Sequence, residues 1–131
     1  MQELTLEERD LYRAIGDLAY VIATVDGVLS NSEKIVFQEA IKEDLGENSW
    51  LALDRFEQLE NEYIDRDLEV TYNRVMFIIR KNQQALTQEH IDTFISILEK
   101  VAGVYGISEE EMSVITQFKV DVKRVYKQAN G

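Results

Sequence analysis

Apolar residues recur along this chain at intervals of three and four, the spacing of one face of a helix. Leu11, Ile15, Leu18, Ile22 and Val25 make the first such stripe, with Arg9, Asp10, Arg13 and Asp17 lying off it. Thr5 and Glu8 precede it at capping-box spacing, in which each side chain satisfies the other residue's backbone N–H. Asp26-Gly27 stops this helix, because glycine takes a left-handed cap without penalty. Ser30 and Glu33 form a second capping box, and Val36, Phe37, Ala40 and Ile41 give the next apolar face. Asn48 or Ser49 opens a third helix, whose apolar side is Trp50, Leu53, Phe56 (or Leu51), Leu59 and Tyr63.

Asp67 is a suitable cap for a fourth helix. Its middle, Val75-Met76-Phe77-Ile78-Ile79, is apolar nearly all round and predicts the most buried element. Thr87 caps a fifth helix with the stripe Ile91, Phe94, Ile95, Leu98, Val101 and Ala102. Ser108 and Glu111 form a third capping box, followed by Met112, Ile115, Phe118, Val122 and Val125. No stretch alternates with a period of two, so no sheet is expected.

The first and last helix pairs resemble each other. A shift of 79 positions places Ile15 on Phe94, Leu18 on Ile97, Ile22 on Val101 and Ala23 on Ala102. Past the turn the shift is 78, which places Ser30 on Ser108 and Glu33 on Glu111. The expected fold is all-α, a compact bundle of about six helices in which two related helical hairpins flank a central helical pair. Residues 1–131 make a single domain by size.

Composition narrows the function. The 131 residues are 45% hydrophobic, enough for a core, and hold no cysteine, which rules out disulfides and thiolate metal sites. A formal charge of −11 disfavours nucleic acid and anionic membrane surfaces, while leaving cations and basic protein surfaces as partners. The first ten residues are acidic with no apolar run, unlike a secretion signal, and no apolar run is long enough to span a bilayer. These features predict a cytoplasmic protein.

Asp26, Glu33 and Glu111 are the candidate metal ligands. Pseudo-twofold hairpins would bring their turns together, and converging carboxylates suit a hard divalent cation such as calcium or magnesium. Each also has a structural reason to be there, in the turn or in a capping box. An EF-hand is not expected, since its first ligand position would fall on Ile22, a residue of the apolar stripe. The single histidine, His90, falls in the first turn of the fifth helix, where exposure is expected. There is no glycine-rich phosphate loop, nucleophile elbow or HExxH, so no enzyme is predicted.

With these residues in place, the chain resembles the TerB-like family of tellurite-resistance proteins. The likeness rests on Ala23-x-x-Asp26-Gly27-x-Leu29-Ser30-x-x-Glu33 and on Ala102-Gly103-Val104-Tyr105-Gly106-Ile107-Ser108-x-x-Glu111. It covers both ends of the chain; the middle matches only as helices. The resemblance implies a small all-helical module without enzymatic activity, associated with stress responses to metal oxyanions. It further implies that acidic turn residues bind a protein partner or a divalent cation, with Asp26 and Glu33 carried over fully and Glu111 in part. Tyr105 stands where the family pattern places a second aspartate, which departs from a symmetric site. The alternative expectation is a structural or oligomerising helical domain without a ligand.

Overall fold

The computed structural model describes residues 5–24, 31–61, 67–105 and 109–130, with the side chains of 32–33, 59–61 and 104–105 outside the description. Among the described residues the chain is all-α. Six helices follow one another: α1 (Leu6–Thr24), α2 (Asn31–Leu45), α3 (Ser49–Asn61), α4 (Leu68–Lys81), α5 (Gln88–Tyr105) and α6 (Glu109–Asn130). Single 3-10 turns at Gly46–Asn48 and Gln83–Ala85 link α2 to α3 and α4 to α5.

Local chemistry sets several of the boundaries. At the start of α1, the Glu8 N–H donates to Thr5 Oγ1 at 3.1 Å, and the Thr5 N–H donates to Glu8 Oε1 at 3.3 Å, completing the expected capping box. Asp67 caps α4 by accepting from the Val70 N–H at 2.9 Å. Past Leu45, Gly46 adopts φ +57°, the left-handed conformation in which glycine ends a helix. Arg80 and Lys81 lie in the last turn of α4, where cations favour the helix dipole.

Contacts between side chains give the helix directions. Gly16 meets Ala52, and Tyr20 packs edge-on against Phe56, so α1 and α3 run the same way. Asp17 pairs with Arg74, while Asp10 and Lys81 line one cleft, so α4 runs opposite to α1. Ser96 and Lys100 reach Asp44, and Thr87 and Thr93 share a pocket with Asn48 and Asp44, so α5 opposes α2. Tyr12 touches both His90 and Phe94, which brings the N-terminal ends of α1 and α5 together. Lys119 of α6 pairs with Glu99, and Lys123 shares a pocket with Asp92 and Ser96, so α6 opposes α5 and the odd-numbered helices point one way, the even-numbered helices the other.

The centre of the bundle is α1. Twelve of its nineteen residues are buried, against five of fourteen in α4. Helix α1 packs chiefly against α3 and α4 and also against α5, which in turn holds α2 and α6. This corrects the expectation that the apolar run of α4 marks the most buried helix. Phe77 in that run is 64% exposed, because only Val75, Met76 and Ile79 turn inward. The repeat-related positions Ile15 and Phe94, Leu18 and Ile97, and Ile22 and Val101 are all buried.

Three other faces differ from expectation. Trp50 is 53% exposed, while Leu51, Ala52 and Phe56 are buried. Ala52 is the residue that meets α1, and Trp50, two positions earlier, projects from nearly the opposite side of α3. Val36 and Met112 are exposed as well, while Phe37 and Ile41 carry the α2 contact and Ile115, Phe118, Val122 and Val125 that of α6. The α5 stripe is as expected, with Ile97 added and Ile95 half-buried.

The tightest approach lies between α1 and α3. A Cβ on Gly16 would stand 2.9 Å from the Ala52 Cα and 3.0 Å from its carbonyl oxygen. Both are backbone atoms, so relief requires moving a helix. Gly16→Ala should therefore destabilise the protein by about 1–3 kcal/mol, outweighing the ~1 kcal/mol that alanine gains in helix propensity. The midpoint of urea unfolding checks this, and an unchanged or raised midpoint would show that the helices can separate freely.

Candidate functional site

Two regions hold the chemistry. The first is the end of the bundle where α1 and α5 finish and α2 and α6 begin. Parallel α1 and α5 place Thr24 and Tyr105 at that end, and antiparallel α2 and α6 start there at Asn31 and Glu109. Of the sequence-predicted ligands, Asp26 lies outside the described residues and the Glu33 side chain is likewise not described. Glu111 sits in the first turn of α6 and is 1% exposed, whereas its neighbours Glu109 and Glu110 face solvent. Negative charge at this position suits a helix N-terminus. Among the described residues, no group of three or more histidine or carboxylate side chains is arranged to hold a metal ion.

The second region is a cleft of about 250 Å3 between α1, α3 and α4. It is built around Asp17, which is 4% exposed in the middle of α1. A carboxylate this deep needs partners. Arg55 of α3 donates through Nε to Asp17 Oδ1 at 2.5 Å, and Arg74 Nη2 of α4 stands 3.7 Å from Oδ2. Burial raises the Asp17 carboxyl above its ordinary range, and the guanidiniums of Arg55, Arg74 and Arg13 pull it back only partly.

The cleft carries more cation than Asp17 requires. Arg13, Arg55, Arg74 and Lys81 line it against Asp10 and Asp17, a local excess of two positive charges in a chain of net charge −11. Arg13 and Arg55 converge on one amide oxygen, that of Gln58, at 3.4 and 3.2 Å. Among the described residues Arg74 Nε has no hydrogen-bond partner and is shut off from solvent. Ala14, Phe77 and Ile78 give the cleft an apolar side.

The helical spacing leaves Asp17 off the apolar stripe of α1 and does not show this constellation. A signal was present: Asp17 is the one charged residue between Ala14 and Ile22. Its partners lie 38 and 57 positions away, and no local spacing relates them.

His90 also departs from expectation, since it is buried rather than exposed. Its Nδ1 accepts from the Thr87 N–H at 3.1 Å, and the His90 N–H donates to Thr87 Oγ1 at 3.1 Å. Histidine thus takes the place of glutamate in a capping box. Its Nε2 faces Glu8 Oε2 at 3.6 Å, and its ring stacks on Phe94 and meets Tyr12 edge-on. The sole histidine is a joint between α1 and α5. Burial pushes its imidazole below the ordinary 6.5, and Glu8 and Glu89 oppose that shift without overcoming it.

Elsewhere, polar pairs tie the outer helices down. Lys100 of α5 reaches Asp44 at 2.8 Å and Glu43 at 3.2 Å, and the Ser96 hydroxyl donates to Asp44 at 3.0 Å. The Tyr72 hydroxyl of α4 donates to Asp121 of α6 at 2.5 Å, and its phenol is pushed well up by burial and by that carboxylate. No helix among the described residues is long and apolar enough to cross a membrane. No family model matches the chain, and no curated protein or solved structure matches it either.

The unfolded chain protonates histidine near pH 6.5, before the folded protein does, so the stability linked to His90 is complete above that pH and is lost as pH falls below it. His90→Gln keeps a side-chain acceptor for the Thr87 N–H and removes the titration. Thermal melts between about pH 7.5 and 5.5 should show wild type losing stability on acidification relative to the variant. Parallel pH profiles would contradict the buried, neutral histidine.

Proposed function

We propose that the protein is a non-enzymatic, TerB-like binding module that presents the acidic end of its bundle to a basic protein partner or a divalent cation. The observation that most supports this reading is the shared direction of α1 and α5. It brings the ends of α1 and α5 together with the starts of α2 and α6, where Glu109 and Glu110 face solvent, as a joint acidic surface requires. A net charge of −11 adds long-range attraction for cationic partners. The capping and ring contacts of His90 fit a structural role for the one side chain most suited to acid–base catalysis near neutral pH. On this reading the module serves a cytoplasmic stress response to metal oxyanions, as the TerB-like resemblance implies.

A second reading, an oligomerising helical domain without a ligand, draws on the α2–α3 side of the bundle. Trp50 is exposed there, and Trp50 and Leu53 line a shallow groove with Lys34 and Gln38. Sedimentation with and without Trp50→Ser separates the two readings. A concentration-dependent dimer that the substitution abolishes would favour the second.

Calorimetric titration tests the first reading, with calcium, magnesium and a lysine-rich peptide as probes. One of them should bind, and Asp26→Ala and Glu33→Gln should each weaken binding about tenfold, or ~1.4 kcal/mol. Glu33→Gln should leave the fold unchanged, because glutamine also completes a capping box. No heat with any of the three at millimolar concentration, or binding indifferent to both substitutions, would overturn the reading.

A further inference from the structure

The cleft between α1, α3 and α4 holds more positive charge than its own carboxylates use, and it lies along the side of the bundle, away from the acidic end. We propose that it is a binding site for a small oxyanion with an apolar body: a carboxylate or phosphate monoester whose charged group meets Arg74, Arg13 and Lys81 and whose ring or short chain lies on Phe77 and Ile78. This goes beyond the acidic-surface reading and does not depend on it.

Three independent observations converge. The first is charge. A protein of net charge −11 gathers four cations and only two carboxylates around one concavity. Neutralising Asp17 and Asp10 would take two of those cations. Like charges held together repel, and an anion seated among them removes that repulsion. Arg13 and Arg55 sharing the single Gln58 amide oxygen is such an arrangement, with two guanidiniums converging on one neutral acceptor.

The second is unused hydrogen-bonding capacity. Guanidinium has five donors in a planar fork suited to carboxylate and phosphate oxygens. Asp17 takes Arg55 Nε directly but leaves Arg74 at 3.7 Å, beyond hydrogen-bond length. Arg74 Nε is withdrawn from solvent without a partner among the described residues. That atom is closed to a ligand as it is to water, but the Arg74 side chain as a whole is 38% exposed, and it is this accessible part of the guanidinium that a ligand oxygen would meet.

The third is shape. The cleft volume of about 250 Å3 equals roughly eight waters at their share of liquid volume, room for an oxyanion carrying one ring. Phe77 is 64% exposed beside half-buried Ile78, so an apolar surface flanks the cationic one. Inorganic phosphate would use the cations and leave that surface bare. A ligand with both parts uses the whole cleft.

The test is a titration followed by amide NMR with four probes: phenyl phosphate, phenylacetate, inorganic phosphate and benzyl alcohol. Phenyl phosphate, phenylacetate or both should give saturable shifts at the amides of Ala14, Arg74 and Lys81 below about 10 mM, with inorganic phosphate weaker and the neutral alcohol silent. Saturation by phenyl phosphate alone assigns the site to phosphate monoesters, and by phenylacetate alone to carboxylates. Arg74→Gln and Lys81→Gln should each weaken binding about fivefold or more, and Phe77→Ser should weaken the aromatic anions without changing inorganic phosphate. Lys81 and Phe77 are exposed, so these two variants keep the fold even if Arg74→Gln loosens it. No saturable shift with either aromatic anion, or affinity unchanged in both Lys81→Gln and Arg74→Gln, would overturn the proposal.

Discussion

A carboxylate in the middle of the most buried helix is the constraint on which this structure turns. Helix α1 lies among α3, α4 and α5, and its approach to α3 is so close that only glycine fits at position 16. That closeness leaves Asp17, the next residue, almost without water. An unpaired carboxylate there would cost several kcal/mol. Arg55 from α3 and Arg74 from α4 both point at it, so the two helices that flank α1 are bound to it by charge as well as by packing. Apolar burial favours association of any helix faces, whereas an ion pair of this kind favours one register.

The same constraint shapes the surface around it. Cations drawn to Asp17 are accompanied by Arg13 and Lys81, and the result is a positive cleft in an acidic protein. At the other junction of α1, near its start, His90 performs a comparable service. It caps α5, stacks on Phe94 and faces Glu8, so the two repeat-related helices are joined where their N-termini meet. Fixing α1 against α5 in parallel also brings Thr24 and Tyr105, the last residues of those helices, to the end of the bundle where α2 and α6 begin.

Sequence pattern revealed the parts of this that are local. Capping at Thr5–Glu8, Asp67 and Thr87 is written in residues three apart, and all three operate as expected. The α5 stripe was legible because that helix is covered on a broad face by α1, α2 and α6. Where a helix has a narrower contact, periodicity alone did not select the face. Trp50, Val36 and Met112 are apolar yet exposed, because the residues that meet the neighbouring helix lie elsewhere on the turn. Asp17 was illegible for a different reason. Its meaning depends on Arg55 and Arg74, which tertiary packing supplies. His90 looked exposed because it follows a cap, and the pocket that buries it is completed by α1 and α2 from far away in the chain. The residues that carry the family resemblance most strongly, Asp26 and Gly27, fall outside the described structure.

The Asp17–Arg55 pair joins α1 to α3 and sets the charge of the cleft. A double-mutant cycle tests it most directly, using Asp17→Asn, Arg55→Gln and the pair together, each unfolded in urea near neutral pH. A charged hydrogen bond in this setting should give a coupling of about 1.5–3 kcal/mol, with the double variant more stable than the sum of the single losses implies. Strict additivity, with coupling near zero, would mean that the two side chains only share a location and that the bundle is organised by apolar packing alone.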